Sequence, residues 1–159
     1  MVALKEKITR ITFDIIVLGF LKDVRPLKGI LANIDWIYSG AISRMIIEEK
    51  ISGLGGEALL MATGDKMKTP MVLHLGLGEM ANFSYNTILR FSSEITDRLR
   101  ELKLVGGAFE IPDLPGSRLD RARSFDTFIS GFTGDNTMDI TMLVKDDETA
   151  EELEERIPI

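Results

Sequence analysis

The chain reads as an α/β protein of three layers, with helices on both faces of a largely parallel sheet. Three observations carry that expectation. Short apolar runs alternate with stretches of helical periodicity along the whole length. The runs at 57–62 and 70–75, apolar but for Glu57 and His74, read as short buried strands. No linker and no internal repeat divides the 159 residues, of which 45% are hydrophobic and 28% charged, so one domain over 1–159 with one core is expected.

The elements follow in order. Ile8 to Phe20 is rich in isoleucine, valine and phenylalanine and suits one strand, or two joined by a tight bend. Behind Pro26, which suits a first helical turn, Leu27, Ile30, Leu31, Ile34 and Ile37 recur at three-and-four spacing. They predict a helix through Tyr38, paused at Ser39-Gly40 and continued by Ala41, Ile42, Met45 and Ile46 to about Lys50. The breaker-rich loop Ile51 to Gly56 leads into a short strand, Glu57 to Ala62, then a turn and a second strand from Pro70 to Leu75. A long helix from about Asn82 to Lys103 carries Tyr85, Ile88, Leu89, Ile95, Leu99 and Leu102 on one face. Gly106-Gly107 is read as its stop. A strand at Ala108 to Ile111, a helix at Arg118 to Ile129, a strand at Met138 to Val144 and an acidic helix at Asp146 to Arg156 complete the pattern.

Composition removes several functions. Without cysteine there is no thiol nucleophile, disulfide framework or thiolate metal site, and a single histidine excludes a zinc site of two or three imidazoles. No metal or cofactor is expected. The longest apolar run, Ile15 to Leu21, has seven residues against the roughly 20 that span a bilayer. With no signal-peptide core behind Lys5, Glu6, Lys7 and Arg10, a cytoplasmic protein without a membrane partner is expected. The net charge of −6 lies wholly in residues 146–156; the remainder balances 18 acids against 18 bases, so no nucleic-acid partner is implied. Arg118, Arg121 and Arg123 are the candidate basic cluster.

The strongest local feature is the strand Met71 to Leu75 running into Gly76-Leu77-Gly78 ahead of a helix. Such a crossing can place unpaired amides and a helix dipole where an anion would sit, so Gly76, Leu77 and Gly78 are candidate ligand-binding residues for a small anionic ligand. A third fingerprint glycine and a Walker lysine are absent, and Glu79 stands where a phosphate would lie. The competing reading is a tight turn whose glycines permit close packing. His74 is read as a buried, hydrogen-bonded core histidine rather than a base. The loop Gly53 to Gly56 precedes a strand, so flexibility is its expected role. Asp35 and Trp36 point about 100° apart on a helix and need not share a pocket. Trp36, Tyr38 and Phe132 are the candidate interface anchors. Asp135, Asn136 and Asp139 resemble part of a calcium loop, but a turn explains them. Leu153 and Ile157 give the acidic helix a narrow docking stripe.

Taken in order, Phe13-Asp14-Ile15-Ile16-Val17, Arg25-Pro26-Leu27, Ile34-Asp35 and Ser39-Gly40-Ala41-Ile42-Ser43 resemble the start of the leucyl aminopeptidase family's N-terminal domain. Gly53 to Gly56 with Glu57-Ala58-Leu59-Leu60, then Val72-Leu73-His74-Leu75-Gly76-Leu77-Gly78, then Leu89-Arg90, continue the likeness over about residues 12 to 145. The resemblance implies a macrodomain-like α/β/α sandwich with a mixed sheet. It also implies a domain that helps build an oligomer, so a homo-oligomer or a protein partner is expected. In that family hydrolysis belongs to a separate C-terminal domain with two metal ions and an Asn-Thr-Asp-Ala-Glu-Gly-Arg-Leu signature. Asp135-Asn136-Thr137-Met138-Asp139 lacks its glutamate and arginine, so no residue inherits a catalytic or metal role. The macrodomain relation points toward ADP-ribose, but the asparagine-rich loop of those nucleotide sites is not evident. The expected function is non-catalytic association, with ligand binding at Gly76 to Gly78 as the alternative.

Overall fold

The computed structural model describes residues 2–4, 8–10, 12–112, 118–132, 137–144 and 146–156. Six strands, β1 (Val2–Leu4), β2 (Ile16–Phe20), β3 (Ala58–Ala62), β4 (Met71–Gly76), β5 (Gly106–Phe109) and β6 (Asp139–Val144), form one sheet in the order β1-β6-β5-β2-β4-β3. All neighbours are parallel except β3, which runs antiparallel to β4. Among the described residues there are five α-helices: α1 (Gly29–Ile37), α2 (Ala41–Ile47), α3 (Tyr85–Glu101), α4 (Arg121–Ser130) and α5 (Asp147–Glu154). The three-layer mixed sandwich expected from the sequence is what the chain forms.

Successive strand residues face opposite sides, which is why the central strands are apolar throughout. Ile16, Leu18, Val72, Ala108 and Leu143 pack beneath α1 and α2 through Ile30, Leu31, Ile34 and Ile42. Ile15, Val17, Leu73, Leu75, Phe109, Met142 and Val144 pack beneath α3, α4 and α5 through Ile88, Phe91, Ile95, Leu99, Phe125, Phe128 and Leu153. Leu89, expected on the inner face of α3, is 38% exposed, and Phe91 takes the buried position.

Phe132 is the clearest correction on this side. Expected as an interface anchor, it is 6% exposed, with ring centroids 5.7 Å from Phe109 and 5.2 Å from Phe128. Four packed rings, completed by Phe91 at 6.0 Å from Phe128, make it part of the core.

Two further expectations change. Gly106 and Gly107 do not stop the helix; they begin β5. A Cβ at Gly106 would lie 2.3 Å from the Asp139 carbonyl oxygen, and one at Gly107 2.8 Å from Ile15 atoms, so close strand approach requires both. α3 stops at Glu101, and Lys103 takes the left-handed conformation that ends it. β1, at one edge beside β6, carries too few residues for a pattern to announce it.

Candidate functional site

Three loops meet at the carboxyl ends of β2 and β4. The Gly76 amide donates to the Glu57 carbonyl (2.8 Å), Leu77 to Phe20 (2.9 Å) and Gly78 to Gly53 (2.8 Å), while Lys22 donates back to the Gly78 carbonyl (2.9 Å). The Met80 amide binds Asp23 Oδ1 at 2.9 Å. All three amides proposed as an anion cradle are thus occupied by the protein's own carbonyls. Helix α3 begins only at Tyr85, beyond a 3-10 turn at Met80–Asn82, so its dipole is not aimed at the turn. The expectation of a ligand cradle at Gly76, Leu77 and Gly78 is therefore corrected: the segment is a close-packed junction. Glu79 pairs at the surface with Lys22, 3.5 Å away.

An anion does occupy the other glycine loop, and it belongs to the chain. Glu57 Oε2 accepts from the amides of Ser52 (2.8 Å) and Gly53 (2.6 Å) and from Ser52 Oγ (3.2 Å). Burial works against its charge, but the amides of Ser52, Gly53 and Leu54 and the Ser52 hydroxyl outweigh it and hold the carboxyl below its ordinary range. Flexibility, expected for Gly53 to Gly56, gives way to a carboxylate-braced loop. Its sequence signal is an acid directly after the glycine run. Glu57→Ala is expected to lower the unfolding free energy by about 2 kcal/mol, since hydrogen bonds to a charged group are lost. Urea unfolding measures this; an unchanged midpoint would show that the loop holds its shape unaided.

A second feature lies at the carboxyl ends of β5 and β6. A cavity of about 100 Å³ is lined by Ile111, Leu119, Phe125, Met142 and Leu153, with Glu110, Arg121, Ser124 and Thr149 as its polar residues. The candidate basic cluster does not converge on it as one group. Arg121 pairs with Glu152 at 3.3 Å, the Arg123 guanidinium stands 4.2 Å over the Tyr85 ring, and Arg118 is exposed.

The third is on the α1–α2 layer. Trp36 is 84% exposed and borders an open groove of about 640 Å³ that Pro26, Leu27, Asp35, Ile37 and Ser43 also line. Asp35 faces α2: Oδ1 accepts from the amides of Ile42 (2.8 Å) and Ser43 (3.0 Å), and Oδ2 from Ser43 Oγ. It caps that helix in place of Gly40, which has no side chain to do so. Tyr38 is half-buried, its hydroxyl donating to the Thr63 carbonyl at 2.6 Å. Of the three anchors read from the sequence, Trp36 alone is freely exposed.

The "Cytosol aminopeptidase family, N-terminal domain" matches residues 17–133. The chain belongs to this family. It is 25% identical over 158 residues to the "Probable cytosol aminopeptidase" of Sulfurihydrogenibium sp. (strain YO3AOP1), covering 96% of this chain and 30% of that protein. The chain thus spans under a third of the length of the curated relatives it matches. Among solved structures it resembles a mutant of tomato leucine aminopeptidase (TM-score 0.63, 13% identity, 91% of this chain and 32% of that one). It also resembles the Trypanosoma brucei macrodomain in complex with ADP (TM-score 0.71, 14% identity, 97% and 67%). These likenesses show a macrodomain-like fold.

The remaining candidates of this cytosol aminopeptidase family domain are His74, Asp135, Asn136, Asp139, Leu153 and Ile157. His74 is fully buried on β4, beside Leu18 and Leu59, but neither ring nitrogen has a hydrogen-bond partner among the described residues. Burial was legible; the missing partners were not. Asp135, Asn136 and Ile157 lie outside the described residues, and Asp139 begins β6. Among the described residues no three His, Asp or Glu side chains gather as a metal site, and no helix is long and apolar enough to cross a membrane. The acidic helix α5 is capped by Asp146 Oδ1, which accepts from the Thr149 amide at 2.8 Å. Its Asp147 and Glu148 sit at the favourable end of the helix dipole, and Leu153 anchors it.

Proposed function

We propose that this family domain is a non-catalytic association module, docking to copies of itself or to an aminopeptidase subunit through the α1–α2 surface. The observation that carries the reading is Trp36, 84% exposed at the wall of an open groove. Large aromatics left in solvent beside a concavity are characteristic anchors of protein contacts. Ile47, at the end of α2, is also 79% exposed. Light scattering tests the reading. The wild type is expected to show a mass above the monomer at high micromolar concentration, and Trp36→Lys to shift the population to smaller species. A wild type that stays monomeric would overturn self-docking, and failure to bind a catalytic subunit as well would overturn the whole reading.

A second reading, a phosphorylated small ligand, moves from the Gly76 turn to the cavity between the ends of β5 and β6. Arg121 there and the ADP-bound macrodomain of like fold support it. Size argues against a nucleotide: about 100 Å³ falls well short of the roughly 300–1,000 Å³ of ordinary small-molecule pockets. Calorimetric titration with inorganic phosphate, and with ADP beside it, separates the readings. Saturable heat lost in Arg121→Ala would establish the ligand, and its absence leaves association.

A further inference from the structure

β3 is the last strand of the sheet, paired with β4 on one side and with no described strand on the other. The ladder fixes which of its backbone groups face outward. The Gly76 amide donates to the Glu57 carbonyl and the Thr63 amide to the Pro70 carbonyl, so the odd-numbered residues of this strand turn their N–H and C=O groups toward β4. Ala58, Leu60 and Ala62 turn theirs to the free edge.

Natural edge strands are protected by lysine, proline, a bulge or a covering loop. This one reads Ala-Leu-Leu-Met-Ala, with no charge, no proline and an unbroken one-to-one register, and Leu60 is 45% exposed. Its outward partial charges complement their own two-fold image. In an antiparallel pairing centred on Leu60, Leu60 meets Leu60 of the second copy, and Ala58 meets Ala62. Each pair exchanges both backbone hydrogen bonds. Centring on Leu59 or Met61 instead leaves one outward residue of each copy without a partner. The side chains are symmetric about the same point, because Leu59 and Met61 exchange places at nearly equal volume.

We infer that β3 is a two-fold interface between copies of this chain, joining two six-stranded sheets into one. This rests on the self-association branch of the function proposed above and names a surface for it distinct from Trp36.

The absence of cysteine makes the test specific, since one introduced thiol reports one position. A hydrogen-bonded antiparallel pair has Cα atoms roughly 5.5 Å apart, inside the roughly 4.4–6.8 Å that a disulfide spans. Under mild oxidation Leu60→Cys is expected to become predominantly covalent dimer. Ala58→Cys and Ala62→Cys should each stay uncrosslinked alone and crosslink when mixed. Adding Trp36→Lys should leave the Leu60→Cys yield unchanged, and Leu60→Lys should weaken dimerisation at least tenfold by opposing like charges on the axis. Thermal melts by circular dichroism establish that each variant is folded. An oligomeric wild type in which Leu60→Cys crosslinks no better than Ala58→Cys would overturn this interface and leave association through Trp36 standing. A wild type monomeric up to millimolar concentration, with no crosslinking, would overturn both.

Discussion

Gly76→Ala is expected to destabilise the protein by about 3 kcal/mol or more, as overpacking against rigid surroundings does. A Cβ at this position would lie 2.0 Å from the Leu54 carbonyl oxygen and 2.8 Å from the Gly53 carbonyl carbon. Both are backbone atoms, so no side chain can rotate away. Relief requires displacing the loop, and that breaks the bonds of the Gly76 and Gly78 amides to Glu57 and Gly53. Two neighbours calibrate the effect. A Cβ at Gly19 meets the Leu77 side chain at 2.6 Å, and a leucine can shift. Gly78 has open space around it and a φ of +86°, so alanine there incurs only the left-handed strain of roughly 1–2 kcal/mol. Urea unfolding of the three alanine variants should rank Gly76 as most sensitive. Equal midpoints for Gly76→Ala and Gly78→Ala would show that the junction is not close-packed.

His74→Leu is expected to remove a pH dependence that the wild type shows between about pH 6.5 and 4. Burial pushes the imidazole from its ordinary 6.5 down to about 4, with the Asp35 carboxylate pulling weakly the other way. Above about pH 6.5 the side chain is neutral in both states and costs nothing electrostatically. As pH falls, the unfolded chain binds a proton that the folded chain excludes, so stability drops until the folded ring protonates near 4. The separation amounts to about 3 kcal/mol. In His74→Leu this loss disappears. At neutral pH the variant also gains roughly 1–3 kcal/mol, because both ring nitrogens are buried without partners. Glu57 acts lower in pH: its depressed carboxyl contributes stability above the ordinary glutamate range that is lost as pH falls through the folded value. Denaturant unfolding from pH 7.5 to 3.5 separates the two. Equal slopes above pH 4 in wild type and His74→Leu would sink the assignment to His74.

The sequence alone determined the layers, the family and the faces of most elements. Three-and-four spacing on Ile30, Leu31 and Ile34, and again on Ile88, Ile95 and Leu99, named the sides of α1 and α3 that bury. The continuous apolar runs of β2 and β4 announced strands covered on both sides. These readings succeed because periodicity records how one element is half-covered, and that is written in its own residues. Tertiary structure alone decided the rest. Whether the amides of Gly76, Leu77 and Gly78 are free depends on Glu57, Phe20 and Gly53, which come from other loops. Whether Phe132 is an anchor or a core ring depends on Phe109 and Phe128. A glycine looks the same in sequence whether it permits a left-handed turn, as Gly78 does, or a backbone approach, as Gly76 and Gly106 do. Hydrogen-bond saturation and close contact are properties of pairs, and the second member of each pair arrives only when the chain has folded.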